Sequence, residues 1–191
     1  CDDDWLNLAE AVDAEELGLL QRLFSDFDVA GAKGFLFEEA YIDRDFSAAY
    51  AAFYSTLFHP YLKYCRRLHF FSRDLTFLLE LPNAEDVTRT LEEHASEYLG
   101  YVVLRPVPHA PVGSAVICAT AVSNDPSVTI DVKAEHEVHV LGADLKVTGF
   151  PLTQQDTRVG ACAQAAIWMA GRYFHRKHGG QWFSMPDIND A

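Results

Sequence analysis

The chain has 191 residues, 49% of them hydrophobic and 23% charged, with a formal net charge of −13 from 28 acidic and 15 basic side chains. This length and composition allow one large domain or two small ones with a real core, and they exclude a disordered chain. The acidic balance argues against nucleic acid as a partner, because a phosphate backbone is repelled on average; no apolar run approaches the roughly 20 residues that span a bilayer.

The first helix is expected to start near Asp13, which has capping-box spacing to Glu16. Leu17, Leu20, Phe24 and Phe27 then recur at helical spacing, and Gly31 and Gly34 mark the exit. A strand follows over about residues 35–42. Phe46, Ala49, Tyr50, Phe53, Tyr54, Leu57 and Phe58 form one apolar helical stripe, capped by Asp45 and closed before Pro60. Residues 67–72 read as a strand. Asn83 caps a helix that carries Val87, Leu91 and Tyr98 on one side, and residues 101–105 read as a short buried strand. The proline-rich run 106–111 cannot be helical and is the best internal boundary.

Beyond that run the pattern turns to β. Residues 115–122 read as a strand with Cys118 as a small core residue, and residues 124–127 as a turn. Val128, Ile130, Val132, Ala134, His136, Val138 and Val140 then share one face of a long alternating run. Thirteen residues is long for one strand, so a bend is expected. His136, on the apolar face, reads as a satisfied core histidine. A turn at 142–144 leads to a pairing strand over 145–150.

The four cysteines, Cys1, Cys65, Cys118 and Cys162, form no Cys-x-x-Cys pair and no metal-knuckle spacing. No disulfide framework, cofactor or metal is expected, and a cytoplasmic location follows. The start at Cys1 reads as processing or trimming, which keeps export open.

The chemistry concentrates at 154–170. A loop with Gln154 and Gln155 runs into a helix beginning near Gly160, and Cys162 lies in its first turn. Apolar and small residues surround most of this helix, which is therefore expected to be buried on all sides. The N-terminal N–H groups and the helix dipole favour a thiolate at Cys162. Gln155, or Gln154, is placed to reach an oxyanion forming beside the sulfur.

This segment resembles the nucleophile region of papain-fold cysteine peptidases, including bacterial double-glycine leader peptidases. Gln155 (or Gln154), Cys162 and Trp168 carry the likeness, over about residues 151–173. The Gln-to-Cys spacing is slightly long, Ala163 stands where many members have Gly, and the aromatic is later than in plant-type members. The resemblance implies catalytic roles for Cys162 as nucleophile and Gln155 as oxyanion donor, and a peptide or protein substrate cleaved at a peptide or isopeptide bond. It also implies a histidine downstream. His175, thirteen residues on, is about 20 Å away along a helix, so the base is expected from a second chain or a segment past Ala191. Upstream His109, His136 and His139 are the spatial alternatives within the chain. A transglutaminase-like enzyme and a non-catalytic interaction module with a degenerate papain-like fold are the competing readings.

The expected fold class is α+β, with an N-terminal α/β module over 1–108. Residues 109–191 form a β-hairpin region and the buried nucleophile helix of a papain-like half-domain. Arg172, His175, Arg176, Lys177 and His178 read as cations at a helix C-terminus before Gly179 and Gly180. Glu38, Glu39, Asp43 and Asp45 read as caps and a solvated strand edge. Ser184 reads as the cap of a further helix.

Overall fold

The computed structural model describes residues 18–121, 130–156 and 162–191. The expected cap at Asp13 and Glu16, Leu17, the turn at 124–127, the start of the alternating run at Val128 and the helix start at Gly160 lie outside the described residues. The class is α+β. Helices α1 (Gly18–Val29), α2 (Arg44–Ala52), α3 (Ala84–Glu93), α4 (Cys162–His178) and α5 (Met185–Asn189) accompany strands β1 (Gly34–Tyr41), β2 (Cys65–Phe71), β3 (Tyr98–Leu104), β4 (Val112–Ile117), β5 (Ala134–Val140) and β6 (Ala143–Gly149). Strands β1 to β4 form an antiparallel sheet in chain order, and β5 and β6 form a separate hairpin. Because β3 and β4 pair from Gly100↔Ile117 to Leu104↔Val112, the sheet runs across the boundary expected after residue 108.

Strand alternation sorts the sheet into two faces. Leu68, Phe70, Leu99, Val102, Leu104, Val112, Ala115 and Ile117 bury one face against Leu20, Leu23, Phe24 and Phe27 of α1. Phe27 stacks on Phe70 with centroids 4.0 Å apart. The opposite face is divided. Phe71, Tyr98 and Val116 pack on Val138, Val140, Leu145 and Val147 of the hairpin and on Leu91 of α3. Cys65 and Val103 pack on Phe46, Ala49 and Tyr54. The free edge of β4 is covered by the segment after β6. Ala115 and Leu152 exchange backbone hydrogen bonds of 2.9 and 2.8 Å, and Gln154 N donates to Val112 O, which removes an open sheet edge.

Several boundaries differ from expectation for identifiable reasons. Asp43, not Asp45, caps α2, its carboxylate accepting from Phe46 N at 2.7 Å. The expected stripe 46–58 stops being helical at Ala52; Phe53 leaves the helical region and Tyr54–Thr56 tightens to a 3₁₀ turn. That change lets the buried Tyr54 hydroxyl donate to Asp156 Oδ2, and it leaves Phe58 fully exposed. The alternating run pairs over Ala134–Val140 only. Asn83 caps α3 as expected, and Ser184 and Asp187 form a capping box on α5. Helix α4 is not buried all round. Ala165, Trp168, Gly171 and Arg172 face inward, whereas Ile167 and Phe174 are half exposed. Of its described small residues, Ala165 and Gly171 lie on the packed face, while Ala163, Ala166 and Ala170 are exposed.

Gly100 tests the close approach of β3 to β4. It has φ +133°, and a Cβ there would lie 2.0 Å from Val116 O. Gly100→Ala is expected to cost at least about 3 kcal/mol in urea denaturation, because strained backbone and a backbone clash act together. A loss below about 1 kcal/mol would show that the strands separate freely there.

Candidate functional site

Two places hold chemistry, one at the head of α4 and one along its middle and C-terminal half. The first is the pair expected from the sequence. Cys162 opens the described part of α4 and is exposed. Its thiol donates to Gln155 Oε1 at 2.7 Å. Gln154 is engaged elsewhere: its side-chain oxygen accepts from Val112 N at 3.0 Å, and its carbonyl accepts from Arg105 Nη2 at 2.7 Å. The edge pairing of 152–154 on β4 thus fixes the loop so that Gln155, and not Gln154, meets the sulfur. Gln155 turns its oxygen to the thiol; its amide nitrogen faces the sulfur only after a half-turn of the terminal group.

All eight histidines of the chain lie among the described residues, and none is hydrogen-bonded to Cys162. His139 pairs with Asp144 across the hairpin. His175 bonds the Gly180 carbonyl. His136 faces Arg172, His175 and Arg176, ten or more residues along α4 from Cys162, a separation of about 15 Å or more at 1.5 Å per residue. Of the three upstream alternatives, His109 alone sits on a loop leading toward Val112 and so toward the Gln154 segment.

The second place is a cavity of about 190 Å³ between β2–β3, the hairpin and α4. A buried polar cluster builds its walls. Arg172 and Trp168 reach from α4 to Asp45 on α2: Arg172 Nη2 and Trp168 Nε1 both donate to Asp45 Oδ1, the latter at 3.1 Å. The Arg172 guanidinium also lies between Trp168 and Trp182, 4.9 and 4.6 Å from their centroids. On the sheet side, Arg67 donates to Glu38 and to the His139 carbonyl and stacks on Tyr41. His69, fully buried, bonds Glu38 through Nε2 and the Tyr98 hydroxyl through Nδ1, each at 2.9 Å. These partners fit a neutral ring with the proton on Nε2, and burial holds the His69 pKa below the usual histidine value.

Two cavity residues are strongly perturbed. Burial, with Asp45 nearby, pushes the Asp43 carboxyl up to about 6. Burial and the charge of Arg176 push His136 down to about 4. His136 is 4% exposed, and its Nε2 has no hydrogen-bond partner. The expectation of a satisfied core histidine is therefore corrected: the ring is buried, but one nitrogen is left open beside a cavity.

Neither the clamp on Asp45 nor the polar cavity was foreseen. A signal existed: Arg172 falls four residues after Trp168 on the inward stripe of α4, and an inward arginine calls for a buried acid. The carboxylates over 38–45, expected to be caps and a solvated edge, supply such acids, Glu38 for Arg67 and Asp45 for Arg172. Among the described residues no group of three His, Cys, Asp or Glu side chains is arranged to hold a metal ion, and no helix is long and apolar enough to cross a membrane. No family model, no curated protein and no solved structure matches the chain.

Asp43 makes stability depend on pH. Its folded pKa lies above the usual 3.8, so the folded state is penalised for holding the charged form. The penalty is present in full above about pH 6 and disappears as pH falls toward 3.8. Asn caps a helix as well as Asp. Asp43→Asn is therefore expected to stabilise the protein at pH 8 by up to about 3 kcal/mol, since each tenfold change in proton affinity is worth about 1.36 kcal/mol, and by less than about 1 kcal/mol at pH 4. Urea denaturation of both proteins at the two pH values checks this; a gain that does not shrink toward pH 4 contradicts it.

Proposed function

We propose that this chain carries the nucleophile half of a thiol acyl-transfer hydrolase of the papain-like cysteine peptidase kind, acting on peptide or isopeptide bonds in a peptide or protein substrate. The observation that carries the reading is the contact of Cys162 with Gln155 at the head of a helix. The Cys162 sulfur attacks the substrate carbonyl carbon, and the carbonyl electron pair moves onto oxygen. The Gln155 amide, turned about its terminal bond, donates to that oxyanion together with the Cys162 backbone N–H. Collapse expels the amine, which takes its proton from a histidine acting as base and then acid, and leaves a thioester on Cys162 that water cleaves. In this proposal the histidine comes from a second chain or a further segment. Cys65, Cys118 and Cys162 are free thiols, which supports a reducing, cytoplasmic setting.

The test must separate an oxyanion site from a merely exposed thiol. At pH 8.5 a peptide thioester acylates a thiolate without needing the absent base, and intact mass with peptide mapping locates the adduct. Cys162 is expected to acylate faster than Cys118. Gln155→Ala is expected to slow that acylation by about 100-fold, the cost of losing one oxyanion donor. It should not slow iodoacetamide alkylation, since alkylation forms no oxyanion and the lost Gln155 acceptor held the thiol form. Equal slowing of both reactions, or no preference for Cys162, sinks the proposal and leaves a non-catalytic module as the reading.

A further inference from the structure

We infer that the cavity between the sheet, the hairpin and α4 is a binding site for a small zwitterion of the free α-amino-acid class, its ammonium donating to His136 Nε2 and Asp43 and its carboxylate meeting Arg176. The site is separate from Cys162 and does not depend on the acyl-transfer reading.

His136 is 96% buried, being 4% exposed, and its Nε2 has no partner while its ring lines the cavity. A buried polar atom left unsatisfied costs about 1–3 kcal/mol, so an occupant that satisfies it is favoured. Burial keeps the ring neutral near pH 7, so this nitrogen accepts and the occupant must bring an N–H or O–H donor.

The charges choose between donors. Arg67 is paired with Glu38, and Arg172 with Asp45. Glu137 lies on the outer face of the hairpin, 3.9 Å from Lys146. Among the lining residues this leaves Asp43 as a carboxylate with no described ion pair, and Arg176 as a cation at the exposed rim. Arg44, over the face of Trp182 at 3.7 Å from its centroid, keeps its charge and adds to the cationic side that Arg176 supplies. An anion with a neutral hydroxyl would satisfy His136 and Arg176 but be repelled by Asp43. A simple amine would satisfy His136 and Asp43 but leave Arg176 unmatched. A molecule with an ammonium and a carboxylate answers all three.

Size agrees. The volume of about 190 Å³ exceeds the roughly 150 Å³ cavity known to accept a benzene ring. Small and medium amino acids fit.

The experiment uses the full chain. Saturation-transfer NMR with the twenty free amino acids at pH 7 selects the best binder. Calorimetry then compares it with its N-acetyl and its carboxamide derivatives, each of which lacks one charge. Each derivative is expected to bind at least about 10-fold more weakly, a difference of about 1.4 kcal/mol. Arg176→Gln, an exposed and structurally tolerant change, is expected to weaken the parent amino acid about 10-fold and to leave the carboxamide unaffected. The His136 Nε2 nitrogen-15 shift should move on binding, and Cys162→Ala should change nothing. The inference is overturned if none of the twenty gives a signal at 10 mM ligand, if the N-acetyl derivative binds as well as the parent, or if Arg176→Gln leaves the affinity unchanged.

Discussion

A buried ion pair, Arg172 with Asp45, fixes how α4 sits on α2. Arg172 is 8% exposed, and its partner sits in the first turn of α2. Taking two charges out of water costs several kcal/mol per ion, and the loss is recovered only where geometry and hydrogen bonding are good. Here the remaining capacity is filled: Arg172 uses Nε as well as Nη2, Trp168 Nε1 supplies a further donor, and two indole faces cover the guanidinium. Such a pair contributes orientation more than net stability. An apolar contact at the same place would let α4 slide or rotate; a charged hydrogen-bonded contact defines one register.

That requirement explains why the second sheet face differs from the first. The face beneath α1 is apolar throughout, and simple burial fixes it. The face beneath the hairpin and α4 places Arg67, His69, Ser114 and Tyr101 among its inward residues. Inward polar groups must be satisfied or opened to a cavity. His69 takes the first course, with both nitrogens bonded. His136 takes the second. Both rings are held below the usual histidine pKa by burial, so each stabilises the fold as a neutral ring above about pH 6.5, and that contribution declines as pH falls toward the folded values. Asp43 acts in the opposite sense over nearly the same range. The two histidines and Asp43 therefore bias folding in opposite directions as pH falls through this range.

Much of this was legible in the sequence where a single period decides the outcome. Leu20, Phe24 and Phe27 are buried on α1, Asn83 caps α3, and Ser184 caps α5, because local spacing and capping chemistry suffice. The turn and pairing of β5 with β6 followed from alternation. What failed were features set by distant partners. The expected stripe beyond Ala52 broke because Tyr54 answers to Asp156, 102 residues away. The cap moved to Asp43 because Asp45 answers to Arg172, 127 residues away. Helix α4, rich in Ala, looked buried on every side, but small residues are equally at home on an exposed helix face. At the candidate site the Gln155–Cys162 pairing was legible, whereas the open nitrogen of His136 depends on three separate elements meeting.

The two ends of α4 are linked mechanically rather than electrostatically. Ten residues separate Cys162 from Arg172, about 15 Å along a helix. That exceeds the roughly 8 Å screening length at physiological salt, and Cys162 is exposed. A charge gained or lost in the cavity therefore has little direct effect at the sulfur. Any influence must pass through the position of the helix, and that position is set by Asp45, Trp168 and Arg172 at its middle. An occupant of the cavity that drew Arg172 away from Asp45 would loosen the contact between α4 and α2. One that met Arg176 at the rim would leave it in place. The cavity and the exposed thiol thus lie on a single helix, with the buried ion pair beside the cavity.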